Sequence, residues 1–202
     1  MKDLRLAGVV GPLLFWAAII VTGLLTPTYS HLTQYVSELG AKGAPFRILM
    51  NYLGIIPFGL GIGLFSIYAW RELSTNLFHK AASIILIVTG FLFIVAGFYS
   101  CDVGCSFYDL SAEALIHNNS AFTAFILASL AIITFLLGEI KDKSKRDFLG
   151  ISIAMTLGTI GSFYLMGSTG IASPFRGLFQ RLFLASFTIW LIGIAFISRK
   201  IR

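Results

Sequence analysis

The sequence predicts an all-α, polytopic membrane protein in which six helices form one compact transmembrane domain. Two observations lead to this fold class. Apolar residues make up 57% of the 202 residues and charged residues only 12%, whereas a typical soluble domain is about 25% charged. The apolar residues are also grouped into long runs, which a bilayer requires and a soluble core does not.

Six of these runs contain no Asp, Glu, Lys or Arg, and each is close to the ~20 residues that a helix needs to cross ~30 Å of hydrocarbon. Because backbone groups find no water in lipid, each run is predicted to be helical. The first run exceeds the ~7–15 apolar residues of a signal peptide, so we expect it to be retained. The predicted spans are Leu6–Thr26, Ile48–Trp70, Ala81–Ser100, Ser120–Gly138, Phe148–Gly167 and Leu182–Ser198.

The distribution of basic residues predicts the orientation. Most lysines and arginines fall in the N-terminal segment, in loops 71–80 and 139–147, and after residue 198. The positive-inside rule therefore places both termini in the cytoplasm of a cell (inner) membrane, with the long loops outside. Topology and anionic lipids account for the net charge of +6, so no nucleic-acid partner is predicted. The opposite side carries only Lys42, Arg47, Arg176 and Arg181.

Small residues at four-residue spacing predict close helix packing, because they let helix backbones approach each other in lipid. We interpret these faces as packing surfaces within the bundle, with a homodimer seam as the alternative. The pairs are Gly59 and Gly63, Ala124 and Ala128, and Ala154 and Gly158.

The first long loop carries the first candidate site residues. Glu38, after Ser37, could serve as an acid or base, or it could pair with an arginine on the same side. Asn51 lies just inside the second span, where a buried amide usually bonds a neighbouring helix and less often a ligand.

The loop after the third span contributes a second group. Cys101 and Cys105 face an oxidising compartment in this topology, and their spacing is compatible with a disulfide, although free thiols remain an alternative. Asp102 ends the third span. His117 and Asn118 open the fourth, where a histidine could exchange protons or act only as a hydrogen-bonding residue.

Gln180 and Arg181 lie before the sixth predicted span. Arg181 could reach the lipid headgroups, pair with Glu38 or Asp102, or bind a phosphate. No metal-binding spacing, haem-ligand pair or nucleotide-binding loop is found, so neither a metal nor a cofactor is predicted. We interpret a further set of residues as solvated: His31, His79, Asp109 and Glu113.

The sequence resembles the bacterial domain-of-unknown-function 998 (DUF998) membrane family. The resemblance rests on Tyr35–Gly40 after the first span, Asn51, Gly97–Asp102 closing the third span, and His117–Asn118. The layout is more distantly similar to the six-span Frag1/DRAM/Sfk1 group, in which a Ser-Asp-x-Gly segment stands where Ser37–Gly40 stands here. The resemblance implies a fold and a polar cluster on the outer face, and it implies no reaction.

From these residues we expect Glu38, Asn51, Asp102, His117 and Arg181 to converge at the outer mouth of the bundle. The leading hypothesis is that the protein binds or handles a membrane lipid or other amphipathic molecule at the outer leaflet, without catalysis. The ligand-binding residues would be Ser37, Glu38, Asn51, Asp102, His117, Asn118, Gln180 and Arg181.

Other hypotheses remain open at this point. The first alternative is an enzyme acting on a lipid headgroup, with Glu38, Asp102 and His117 as acid–base groups. The second alternative is a transporter, and the third is a structural or assembly protein. The lack of a charged residue in the middle of any predicted span argues against an ion-coupled transporter.

Overall fold

A computed structural model describes residues 2–108, 110–142, 147–169 and 173–198. Within these ranges, six helices are long and apolar enough to cross a membrane, and there is no β-strand. The predicted all-α, multi-pass fold is therefore confirmed. The helices are α1 (Lys2–Leu25), α2 (Ile56–Tyr68, with π-helical segments Leu49–Ile55 and Ala69–Leu73 at its two ends), α3 (Leu77–Phe98), α4 (Ala112–Lys141), α5 (Leu149–Ser168) and α6 (Arg176–Ile197).

Each helix packs against the next one along the chain, and α1 also packs against α6, which closes the bundle. The Arg5 guanidinium donates a hydrogen bond of 3.4 Å to the Ala195 carbonyl, so the two ends of the chain lie at the same end of the bundle. We call this the terminal end. The opposite end, formed by the loops after α1, α3 and α5, is called the loop end.

The orientation of the bundle in a membrane stays a prediction. Several of the basic residues that predicted it, at positions 143, 145, 146, 199, 200 and 202, lie outside the described residues.

The bundle interior is aromatic, and its outer surface is apolar as well. Phe58, Phe187 and Trp190 are fully buried and in ring contact. On the outer surface, Leu24 is 77% exposed and Leu157 is 68% exposed. Large aliphatic side chains exposed on every helix have no favourable partner in water, whereas hydrocarbon solvates them.

Four helices begin earlier than the sequence predicted, and the differences are largest, at six residues or more, for α4 and α6. α4 begins at Ala112 rather than residue 120, and α6 begins at Arg176 rather than residue 182. The prediction used the absence of charge to set each start, but paired charges are compatible with a helix. Ser111 caps α4 by accepting a hydrogen bond from the Ala114 amide, and Glu113 in the first turn favours the positive end of the helix dipole.

The glycine pair of α2 packs inside the chain. A Cβ atom built on Gly90 of α3 would lie 2.6 Å from the Gly59 carbonyl oxygen and 2.8 Å from the Gly63 amide nitrogen. Ala124 and Ala128 are also fully buried within the bundle. Two of the three small-residue pairs are thus used for internal packing, and a homodimer stays a prediction.

Candidate functional site: a cavity at the loop end

An apolar cavity of about 380 Å³ lies at the loop end, between α4, α5, α6 and the first loop. Along α4 it extends from His117 to Phe125, about 12 Å at ~1.5 Å per residue. It therefore lies along the half of α4 that is nearer the loop end. Its apolar lining includes Phe107, Ala121, Phe122, Phe125, Phe163 and Met166.

Tyr35 and four of the predicted ligand-binding residues also line this cavity; the four are Ser37, His117, Asn118 and Gln180. A narrow extension of about 30 Å³ runs deeper into the bundle, past Ser37, His117 and Gln180. The cavity thus combines an apolar wall with a small polar group at its inner edge. Such a combination is typical of small-molecule sites, in which a few polar groups fix the orientation of the ligand.

The tautomer of His117 follows from its partners. Its Nδ1 atom lies 2.7 Å from the Ala96 carbonyl oxygen and 2.8 Å from that of Tyr99. Both partners accept hydrogen bonds, so Nδ1 carries the proton and donates to carbonyls that the end of α3 leaves unpaired. The other ring nitrogen, Nε2, is then an acceptor, and it has no hydrogen-bond partner in the described part of the chain.

Gln180 is oriented in a comparable way. Its side-chain oxygen accepts a hydrogen bond of 2.6 Å from the Val36 amide, which identifies that atom as Oε1. The Nε2 amide group is left as a donor, with no acceptor among the described residues. The residues that line the cavity therefore include an uncommitted acceptor on His117 and an uncommitted donor on Gln180, beside the hydroxyl groups of Tyr35 and Ser37.

Glu38 is part of the loop architecture and does not line this cavity. Its Oε1 atom accepts hydrogen bonds from the Tyr35 amide at 2.8 Å and from Arg176 at 3.4 Å. Its Oε2 atom accepts one of 2.9 Å from Gln34. The side chain is only 7% exposed, and it borders a separate, shallow groove on the surface of the loop end. These contacts correspond to the structural interpretation of Glu38, pairing with an arginine.

Asn51 also joins parts of the fold. From the π-helical segment before α2, its amide donates to the Gly40 carbonyl at 3.0 Å and to the Ser100 hydroxyl at 3.1 Å. These bonds tie the first loop to the end of α3. Asn51 is buried and does not line the cavity.

Asp102 belongs to a charged cluster around Lys42. The Lys42 ammonium lies 3.1 Å from Asp102 and 3.2 Å from Glu113, and it donates to the Ser111 hydroxyl at 2.8 Å. Asp102 also accepts hydrogen bonds from the Ser111 amide and hydroxyl, both at 2.8 Å. The Ser111 hydrogen bonds, followed by Lys42, lower the pKa of Asp102, and the bond to Asp102 is the main cause of the raised pKa of Lys42.

Arg181 fixes the first loop to α6. One guanidinium nitrogen donates to the carbonyls of His31 at 2.7 Å, Gln34 at 2.9 Å and Gly177 at 2.9 Å, and the other terminal nitrogen donates to the Tyr29 hydroxyl. Burial raises the pKa of Tyr29 to about 12, so its hydroxyl stays protonated and donates to the Tyr35 carbonyl. Arg181 is used for structure and does not line the cavity.

The five residues expected to converge at one mouth are divided among different contacts at the loop end. His117 lines the cavity, whereas four others serve separate hydrogen-bond networks: Glu38, Asn51, Asp102 and Arg181. Among the described residues, no hydrogen bond joins any two of Glu38, Asp102 and His117. At the loop end, the charged side chains stabilise the loops, whereas uncharged polar side chains border the cavity.

A disulfide and a side-chain amide hold one rim of the cavity. Cys101 and Cys105 are joined by a disulfide, and Cys105 lines the cavity. The turn between them has a positive φ of 76° at Gly104, a conformation that glycine adopts without strain. The Asn118 amide donates to the Ser106 carbonyl at 3.0 Å, which ties the same loop to α4.

Comparison with known proteins identifies the family of this chain. The family model described as "Protein of unknown function (DUF998)" matches residues 9–197, nearly the whole chain. The chain belongs to this family. No curated protein and no solved structure matches it. The similarity to the Frag1/DRAM/Sfk1 group stays a prediction.

Sequence reasoning missed the aromatic wall of the cavity in this DUF998 protein. Phe122 and Phe125 are three residues apart on α4, a spacing that places side chains on neighbouring positions of one helix face. Phe163 of α5 lies opposite, with its ring centroid 6.0 Å from that of Phe122 and 5.8 Å from that of Phe183. The three-residue spacing of Phe122 and Phe125 places them on one helix face, but sequence alone does not distinguish a cavity wall from a lipid-facing or core surface.

The interpretation of His79 and Glu113 as solvated also needs correction in this DUF998 protein. His79 is fully buried at the terminal end, where its ring packs against Phe135 at 4.6 Å. Glu113 is half-buried and paired with Lys42. His31 is partly buried, and Asp109 lies outside the described residues.

One buried acid at the terminal end was not anticipated. Glu139 is fully buried, and its Oε1 atom accepts a hydrogen bond of 3.0 Å from Ser152, which in turn accepts one from Trp190. Its Oε2 atom has no partner among the described residues. These hydrogen bonds join α4 to α5 and α6 at the terminal end.

The Lys42 cluster predicts an acid-sensitive loop end. A carboxyl group whose pKa is lowered on folding adds stability above its ordinary value of about 4, and that stability is lost as pH falls through the folded pKa. Asp102→Asn should therefore be less stable than the wild type at pH 7, and the difference should shrink as pH approaches 3. Thermal unfolding of both proteins in detergent at several pH values measures this change.

The control is Tyr108→Phe, which removes an exposed hydroxyl from the same loop. Its unfolding temperature should follow that of the wild type at every pH. A constant gap between Asp102→Asn and the wild type across the acid range would contradict the role given to the charged cluster.

Proposed function

We propose that this protein binds an amphipathic molecule, such as a membrane lipid, in the cavity at the loop end. The apolar chain would lie against Phe122, Phe125 and Phe163, and the polar head would reach His117 and Gln180. The observation that carries the proposal is a cavity with apolar walls and uncommitted polar groups at its edge, built from helices that are long and apolar enough to cross a membrane. Its volume of about 380 Å³ is within the range of small-ligand sites.

Access from the side of the bundle supports a ligand that arrives through the bilayer. Phe122 lines the cavity and is also 51% exposed, so the cavity reaches the lipid-facing surface of α4. Phe107, 47% exposed, stands at the loop rim. A lipid chain could therefore enter between α4 and α5 without crossing the polar loops.

Binding without catalysis is favoured by the hydrogen bonds of the acidic residues. Glu38 and Asp102 are each engaged by several donors of the protein, and neither borders the cavity. An acid–base pair would need to reach the bound molecule directly or through one water. We also propose that the loop end faces away from the cytoplasm of the cell membrane, because the basic residues are concentrated at the other end.

The test is to block the cavity. Ala121 lines both the cavity and its deeper extension, and Ala121→Phe should fill the space with little effect on helix stability. In lipid nanodiscs, a diazirine-bearing long-chain alcohol should photolabel α4 and α5 of the wild type, as mapped by peptide mass spectrometry. We expect labelling of this site to fall at least tenfold in Ala121→Phe.

The matched control is Ile126→Phe, which places the same side chain on the lipid-facing side of α4, where Ile126 is 42% exposed. It should be labelled in the cavity like the wild type. Equal labelling of cavity peptides in Ala121→Phe and Ile126→Phe would overturn the proposed function, since the probe would then report only lipid contact.

A further inference from the structure

The polarity of the cavity edge restricts the head of the bound molecule. Among the described residues that line the cavity there is no Asp, Glu, Lys or Arg. The charged groups nearest to it in the loops have partners within the protein: Glu38 with Arg176, Asp102 with Lys42, and Arg181 with backbone carbonyls. A charged head would therefore enter a largely apolar space with no counter-charge, which is costly.

Two side chains that line the cavity restrict what an uncharged head must offer. His117 Nε2 accepts, because Nδ1 holds the proton between the Ala96 and Tyr99 carbonyls. Gln180 Nε2 donates, because Oε1 is held by the Val36 amide. Flipping the Gln180 amide, or moving the proton of a neutral His117 from Nδ1 to Nε2, would break a hydrogen bond within the protein. One group that donates once and accepts once complements both atoms together, and a hydroxyl is such a group.

We propose that the cavity selects a lipid alcohol: an uncharged amphipath whose hydroxyl donates to His117 and accepts from Gln180. This inference rests on the proposed function and adds the chemical class of the ligand. A site that hydrogen-bonds a hydroxyl discriminates against molecules without one, because its own polar atoms are then left unpaired. Monoacylglycerols and isoprenoid alcohols both carry a hydroxyl group, and they differ in their hydrocarbon chains.

The selectivity is tested by competition against the photolabelling of the wild-type cavity, in nanodiscs freed of sugar-based detergents, whose hydroxyls would compete. Unlabelled competitors of matched chain length are a primary alcohol, a fatty acid, an alkyl phosphate and an alkyltrimethylammonium. A monoacylglycerol and an isoprenoid alcohol form two further arms. We expect the alcohols to compete at concentrations at least tenfold lower than the three charged molecules.

Gln180→Glu provides an independent check of the donor. The variant keeps an oxygen for the Val36 amide and replaces the donating nitrogen with a second carboxylate oxygen. It should lose the preference for alcohols by at least tenfold and gain competition by the alkyltrimethylammonium. The matched control is Asn119→Asp, which makes the same amide-to-carboxylate change at an exposed position outside the cavity lining and should keep the wild-type order. If Gln180→Glu does not fold, the order in which the competitors displace the label from the wild type still tests the lipid-alcohol inference.

The outcomes separate the two proposals. Competition by the alcohols alone supports both. Equal or stronger competition by a charged molecule overturns the lipid-alcohol inference and leaves amphipath binding in place. Labelling that no competitor displaces, or that Ala121→Phe does not reduce, overturns amphipath binding itself.

Discussion

Arg181→Ala should strongly destabilise the protein, by about 3 kcal/mol or more, since a hydrogen bond to a charged group is worth ~1.5–3 kcal/mol and several are lost together. The guanidinium serves three backbone carbonyls and the Tyr29 hydroxyl. Without it, the first loop loses its attachment to α6. The unfolding temperature in detergent, or the midpoint of an SDS titration, measures the loss.

A matched arginine is available for comparison. Arg47 is exposed in the same loop, and Arg47→Ala should change stability by less than about 0.5 kcal/mol. Arg181→Lys should fall between the two, because an ammonium keeps the charge but lacks the planar geometry of the guanidinium. If Arg181→Ala and Arg47→Ala were equally stable, the structural role of Arg181 would be wrong.

Gly90→Ala should be the second severe change, with a loss of about 1–3 kcal/mol or failure to fold. The added methyl group would lie 2.6 Å from the Gly59 carbonyl oxygen and 2.8 Å from the Gly63 amide nitrogen. Both contacts are with backbone, so no side chain can rotate away, and α2 and α3 must separate. The same unfolding measurements apply.

Gly161→Ala is the control for this substitution. Gly161 lies within α5, and a Cβ atom there would meet nothing within 4 Å. Alanine favours a helix by up to ~1 kcal/mol over glycine, so this variant should be as stable as the wild type or more stable. Similar losses for the two glycine variants would argue against close packing of α2 on α3.

The fold could be predicted from sequence because one physical requirement dominates it. Hydrocarbon admits neither unpaired backbone groups nor scattered charge, so six uncharged apolar runs are enough to locate six helices. The starts of α4 and α6 were missed for the same reason. Absence of charge identifies the part of a helix in lipid, whereas Ser111 as a cap determines where α4 begins.

The sequence predicted which polar residues lie near the site, but it did not predict which of them line the cavity and which stabilise the loops. His117, Asn118, Gln180 and Ser37 were selected as polar residues near the membrane surface, and all of them line the cavity. Glu38 and Arg181 were selected on the same basis, yet they bond within the protein. Sequence gives the chemistry of a side chain but not its partners, and the Arg181 partners in the first loop lie 147 to 152 residues away.

The attachment of the first loop to α6 has a consequence for biogenesis. Val36 of that loop depends on Gln180, and His31 on Arg181, so its contacts span 144 to 150 residues. A ribosome delivers α1 and this loop long before α6 emerges. The first loop therefore cannot form these contacts until α6 has inserted. The cavity is completed only at the end of synthesis. A nascent chain stalled before α6 should leave this segment open to added protease, and release of the full-length chain should protect it.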